Sequence, residues 1–208
     1  MNKIEDDTIV KVIKNVHKML ENRGHDVTQI NKTEPLKFVL KKIEHFRSNN
    51  NTVLDIFINS ERKVYVKFIN IMKNNNSSQE LVKLYKFIYD SNRFTNNDDI
   101  IFVVFDKLGE EVYNIEEKYS NVTLFDYKKF LINIVEHMYV PKHVKIHKDE
   151  HNSLKTKLMI KDLDQLPLLS KSDAISRYYN YRIGDVIRVE RPSNGNMKHI
   201  IYRYVVQL

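Results

Sequence analysis

The chain has 208 residues, 34 Lys+Arg against 27 Asp+Glu, a formal net charge of +7 and an isoelectric point near 9.3. With 42% hydrophobic and 11% aromatic residues it can bury a core, which excludes a disordered tail. Zero cysteines exclude disulfides, thiol catalysis and the usual structural zinc sites; with no apolar run near the ~18 residues of a membrane span and no signal peptide at Met1–Asp7, a soluble intracellular protein is expected.

Ile9, Ile13, Val16 and Leu20 recur at helical spacing, and Arg23-Gly24 supplies a C-terminal stop. A second helix is expected from Thr33, with Pro35 in its first turn, Leu36, Val39, Leu40 and Ile43 inward, and Ser48–Asn51 ending it. Val53–Ile58 and Val64–Ile71 read as strands joined by a short loop at 59–62. Ser77 and Glu80 have capping-box spacing ahead of a helix carrying Leu81, Leu84, Tyr85 and Ile88. Ile100–Phe105 is the continuous apolar run of a strand buried on both faces, Val122–Phe125 a shorter strand, and Asp126–Val135 a helix. Strands alternating with helices predict an α/β sandwich.

After Pro141 the pattern changes. His143–His147 reads as a short strand, Asp149–Lys157 as a helix, Leu166-Pro167 as an extended break and Ser170–Tyr179 as a short capped helix. Asp185–Arg191 and Met197–Val206 flank an Asn194-Gly195 pair, a hairpin signal. Composition divides in the same region. Cut at His137/Met138, the first part holds 21 basic and 20 acidic residues and all ten Phe; the second holds 13 basic and 7 acidic. Two domains are therefore expected, 1–137 and 138–208, the second small, α+β and ending in a β-hairpin.

Several constellations carry possible chemistry. His137, His143, His147 and His151 fall within fifteen residues, but Pro141 interrupts them and no carboxylate pattern completes a metal site, so surface histidines are the preferred reading. Asp55, Tyr65 and Lys67 have the spacing of a magnesium-dependent nuclease core, in which two acids hold the ion and a lysine stabilises developing charge; Tyr65 stands where the second acid is needed. The four glycines are too scattered for a phosphate-cradling loop, and there is no nucleophile-elbow motif. In the second domain Arg177, Arg182, Arg188, Arg191, Lys198 and Arg203 interleave with Tyr178, Tyr179, Tyr181, Tyr202 and Tyr204. Arg and Tyr serve both single-stranded nucleic acid and protein hot spots, and physics alone leaves both open.

One ordered series carries more. Val140-Pro141-Lys142-His143, Leu166-Pro167, Ser172-Asp173, Arg177-Tyr178-Tyr179, Gly184-Asp185-Val186-Ile187-Arg188-Val189-Glu190-Arg191-Pro192-Ser193 and Tyr202-Arg203-Tyr204-Val205-Val206 resemble the C-terminal assembly domain of RNA polymerase subunit five of eukaryotes, which has an archaeal counterpart without the jaw. Lys18 to Gln29 is similar to the end of the first helix of the eukaryotic subunit's N-terminal jaw. The resemblance departs at Asp173-Ala174 in place of Asp-Pro, at Asn180 in place of Gly, and at the acidic Gly109-Glu110-Glu111-Val112, where the family's DNA-proximal segment has no counterpart.

The resemblance implies a non-catalytic subunit of a multisubunit DNA-directed RNA polymerase, with no cofactor, no metal and no active site of its own. Its N-terminal jaw would have a degenerate restriction-endonuclease-like fold beside downstream duplex DNA, and its C-terminal domain would dock on the largest subunit near neighbouring subunits. Pro141, Lys142, His143, Tyr178, Arg188, Arg191 and Arg203 are expected to contribute to the docking surface or its support, and Lys63, Arg93 and Lys107 are the expected DNA-proximal residues. The plain alternatives are structural roles in the small domain and an ordinary solvated surface. A free-standing nucleic-acid-binding protein is the competing function. The Asn/Lys/Ile-rich composition points to a large DNA virus, hence virion and host cytoplasm; a cellular eukaryotic source would place the protein in the nucleus. Because the excess charge lies in the docking-like domain, it reads as the complement of an acidic partner surface.

Overall fold

A computed structural model describes residues 5–28, 36–47, 53–60, 62–69, 77–90, 94–95, 97–105, 110–192 and 198–207. The chain forms two compact units, Met1–Ile132 and Asn133–Leu208. This division falls upstream of the compositional cut because Ile134, Val135 and Val140 pack on the core of the second unit.

In the first unit, α1 (Asp6–Asn22) buries Ile9, Val12, Val16, Met19 and Leu20 on one stripe, and Gly24 beyond it adopts φ +86°, a conformation glycine takes at no steric cost. α2 spans Leu36–Arg47; the start expected at Thr33 and Pro35 lies outside the described residues. A four-stranded sheet runs in the order β1 (Ile56–Ile58), β2 (Val64–Ile69), β3 (Asp99–Val104), β4 (Val122–Asp126). β1 and β2 are antiparallel; β2–β3 and β3–β4 are parallel pairs, with α3 (Ser77–Asp90) and α4 (Glu110–Lys118) as the intervening helices. Every residue of β3 is buried, as an apolar run between two helical layers requires. Ile100, Phe102 and Val104 pack with Leu81, Tyr85 and Ile88 of α3 and Ile115 of α4. Residues on the opposite face of the sheet meet α2 through Phe105, whose ring lies 5.6 Å from that of Phe46 and 6.3 Å from that of Phe68. This is the expected α/β sandwich. The side chains of Ser77 and Glu80, expected to form a capping box, lie outside the described residues.

Two expectations need correction here. The helix expected at Asp126–Val135 is instead a 3-10 turn at Tyr127–Phe130 and another at Ile134–Glu136. Asp126 ends β4 and caps the first turn by accepting from the Lys128 N–H at 2.8 Å, while the Phe130 carbonyl accepts from Asn15 Nδ2 at 2.7 Å instead of continuing a helix. The first strand is also shorter than Val53–Ile58, because Val53 and Leu54 form a turn that delivers Asp55 to the head of β1.

The second unit is built on a mixed sheet of order β5 (Lys142–Lys145), β7 (Val186–Pro192), β8 (Lys198–Val206), β6 (Leu168–Ser170). β7 and β8 form the expected long antiparallel hairpin; its Asn194-Gly195 turn lies outside the described residues. β6 follows the expected break and takes Ser170, the expected helix start: the Lys171 N–H donates to the Val206 carbonyl at 2.8 Å, and the helix begins only where Asp173 caps α6 (Ala174–Tyr179) by accepting from the Ile175 N–H at 2.9 Å. α5 (His151–Leu158) buries Leu154 with Ile146, Leu166 and Val186 on one face of the sheet. α6 covers the other, where Ile175 and Tyr181 join Leu169, Ile187, Val189 and Val205.

Candidate functional site

Two groupings of chemistry-bearing side chains emerge, one in each unit. In the first, Asp55 stands at the head of β1, and Tyr65 and Lys67 lie two residues apart on β2, hence on one face of the strand. Lys67 Nζ donates to Asp55 Oδ2 at 2.9 Å, with only 5% and 9% of the two side chains exposed, and the Tyr65 hydroxyl donates to the same oxygen. Burial, with the hydrogen bond to Asp55 second, pushes the Tyr65 phenol well above its ordinary value. Phe94 packs on Tyr65 at 5.6 Å and on Phe57 at 5.7 Å. Asp55 Oδ1 is buried and has no hydrogen-bond partner among the described residues. One oxygen of the carboxylate that would bind an ion is thus occupied by both an ammonium and a phenol, and the position of the second acid carries a group that donates.

The neighbouring ionisable groups also satisfy one another. Arg62 Nη2 pairs with Asp99 Oδ1 at 2.5 Å. Asp98 accepts from the N–H of Lys63 at 2.9 Å and of Thr95 at 2.7 Å; burial alone would raise its pKa, but these donors outweigh it and hold the carboxyl below the usual range. Lys63, an expected DNA-proximal residue, therefore has its backbone tied into this loop, its carbonyl accepting from the Asp99 N–H at 2.9 Å. The other two, Arg93 and Lys107, lie outside the described residues.

In the second unit, strand register sorts the expected docking residues onto different faces. Paired positions on neighbouring strands point the same way. His143 opposes Val189, Val189 opposes Ile201, Ile187 opposes Arg203, and Arg191 opposes His199, so His143, Arg191, His199, Ile201 and Arg203 share one face. Lys142, opposite Glu190, and Arg188, opposite Tyr202, share the other. Arg188 is neutralised there by Glu190 at 2.8 Å. Tyr178 is buried at 5% exposure, with its ring 5.2 Å from that of Tyr179, a place that suits support of the surface. Pro141 precedes β5, and its carbonyl accepts from His143 Nδ1 at 2.7 Å, which fixes the ring's tautomer. Burial, helped by the nearby Arg203 and Arg191 charges, draws the His143 pKa below its ordinary value against the opposing pull of the Pro141 carbonyl and Asp173.

The departures from the family pattern resolve locally. Asn180 takes the left-handed conformation, φ 55° and ψ 45°, in which Gly would serve, and closes α6. Asp173 caps α6 without a following proline. Sequence reasoning does not single out His199 and Ile201; counting strand alternation back from Val205 would place both beside Arg203. The clustered histidines do not converge: His147 pairs with Asp149 at 3.0 Å, His137 lies against Tyr139, and no group of three metal-ligating side chains occurs among the described residues.

The second unit is of a class found in subunits of RNA polymerases. Residues 132–205 match the family model described as RNA polymerase Rpb5, C-terminal domain. Similar proteins include the rpabc1 subunit of DNA-directed RNA polymerases I, II and III of Dictyostelium discoideum, 35% identical over 91 residues, covering 44% of this chain and 46% of that one. The RPABC1 subunit of Caenorhabditis elegans is 37% identical over 78 residues, 38% of this chain and 36% of its own. Subunit 5B of DNA-directed RNA polymerases IV and V of Arabidopsis thaliana is 32% identical over 111 residues, 53% of this chain and 50% of its own. The chain spans about half or less of the length of these curated relatives.

Proposed function

We propose that this protein is a non-catalytic structural subunit of a multisubunit DNA-directed RNA polymerase. It docks on the largest subunit through its C-terminal domain and holds its N-terminal jaw beside downstream DNA. The observation that carries this reading is the coincidence of the family match, 132–205, with the separately folded unit Asn133–Leu208. The names of the similar proteins, all subunits of DNA-directed RNA polymerases, support it. The jaw is a degenerate restriction-endonuclease-like fold, a reading favoured by the mixed β1-β2-β3-β4 order and by Asp55 and Lys67 at the expected strand positions. Tyr65 and Lys67 saturating Asp55 Oδ2 favours a scaffold over a nuclease. The protein would act in the nucleus of a cellular source, or in the virion and host cytoplasm of a viral one. Affinity purification of the tagged full chain from its source cells tests the proposal, with recovery of the largest polymerase subunit as the expected result.

The exposed Arg191 and His199 favour one competing reading, free-standing nucleic-acid binding. It requires duplex or single-stranded DNA to bind the full chain with a steep salt dependence. Polymerase recovery together with salt-insensitive, weak DNA binding would dismiss it.

A further inference from the structure

The two faces of the C-terminal sheet are electrostatically unequal. On the face covered by α5, the cation of Arg188 is met by Glu190, and Tyr202 and Tyr204 pack toward Leu154 and Leu166. On the opposite face, α6 covers Ile187, Val189 and Val205, and Lys145 is met by Asp185 at 2.8 Å; toward the hairpin end of that face, Arg191, His199 and Arg203 meet no carboxylate within ion-pair distance among the described residues. Arg203 instead donates through Nη1 to the Leu168 carbonyl at 2.9 Å, which orients its guanidinium across the strands. Asp173, the acid that acts on His143, has a carboxyl oxygen committed to capping α6. Half-buried Ile201 lies among these cations, between His199 and Arg203 along β8, while Val189 beside it is buried by the core.

We propose that this face, centred on Ile201 and bounded by Arg191, His199 and Arg203, receives a carboxylate-bearing segment of a protein partner. The inference rests on the reading of this domain as a docking module and names the chemistry of what docks. An apolar centre within a cationic border matches the core-and-rim anatomy of protein interfaces. Arginine is a frequent hot spot there because its planar fork takes a carboxylate in two parallel hydrogen bonds. A nucleic-acid backbone would use the charges but leave Ile201 without a counterpart.

The test measures fluorescence anisotropy of a labelled peptide of alternating Glu and Leu, against its Gln/Leu counterpart, on the full chain. Arg191→Glu/Arg203→Glu is expected to weaken Glu/Leu binding by about tenfold or more. Lys155→Glu/Lys157→Glu, which changes net charge equally but on α5, is expected to change it less than about twofold. Because the Arg203 substitution removes the bond to Leu168, Arg191→Glu/His199→Glu, at two exposed positions, provides a second variant expected to lose affinity in the same sense. Equal losses from the α5 pair, no preference for Glu over Gln, or tighter binding of a labelled duplex oligonucleotide through the same residues would each overturn the proposal. Purification of the same variants separates the two levels of inference. If wild type recovers the largest polymerase subunit and Arg191→Glu/Arg203→Glu recovers it equally, the assigned face is wrong and the subunit reading stands; if wild type recovers none, the subunit reading fails whatever the peptide shows.

Discussion

The first unit turns its charged chemistry inward and the second leaves part of it facing out. Asp55, Lys67 and Tyr65 form a closed, nearly dry cluster, and Arg62 with Asp99 and the Asp98 loop repeat the theme nearby. In the C-terminal hairpin, Arg191, His199 and Arg203 share a strand face with no acid to answer them among the described residues. Charge satisfied within a domain specifies that domain, whereas charge left unsatisfied on an ordered strand face is available to a partner. A net charge says nothing about which of these a residue does. The excess in 133–208, with 13 basic and 8 acidic residues, acquires meaning only when register and ion pairing show which cations meet no carboxylate among the described residues.

The comparison is broken most severely at Lys67. Removing one partner of a buried ion pair strands the other, so Lys67→Met should cost about 3–5 kcal/mol. Protection of β2 and β3 amides from hydrogen exchange would fall accordingly. Asp55→Asn/Lys67→Met should recover much of that loss, since neither charge is then buried alone; a double variant as unstable as the single would mean the pair is not a closed unit. Tyr65→Phe removes one donor to Asp55 while leaving Lys67, and about 1–3 kcal/mol is expected from the same exchange measurement.

In the second unit, Asp173→Ala should cost about 1 kcal/mol through the lost α6 cap, read as a lower thermal midpoint with binding surface residues unchanged. The smallest effect is a pH dependence. Burial favours neutral His143 in the folded chain, so the folded state binds fewer protons than the unfolded one near this pKa. The stability this contributes is complete above the ordinary histidine value of 6.5 and declines as pH falls through the lower native value. His143→Gln should flatten that part of a pH–stability curve; an unchanged slope would assign it to another group.

Much of the fold is legible in the sequence because its signals are local. The apolar run at Ile100–Phe105, the stripe on α1 and the alternation along Asp185–Arg191 each encode an element within a few residues. What escapes a sequence reading depends on distant partners. The helix expected at Asp126–Val135 yields to a 3-10 turn because Asn15, far away in sequence, takes the Phe130 carbonyl. β6 exists because β8 offers its edge to Leu168–Ser170, which carry little strand pattern of their own. The site behaves likewise. Arg188 and Arg191 look equivalent in sequence, yet alternation puts one against Glu190 and the other beside His199. Tyr178 looks like a platform residue and is core, because the short α6 turns it inward.

The central claim, membership of the chain in a working polymerase as a structural subunit, is tested most directly by purifying the tagged full-length chain from its source cells and quantifying co-purifying polypeptides by mass spectrometry. The account predicts the largest RNA polymerase subunit in near-equal molar amount, with DNA-dependent RNA synthesis in the purified fraction. Recovery of the chain alone, or with nucleic acid but no polymerase subunit, would contradict it.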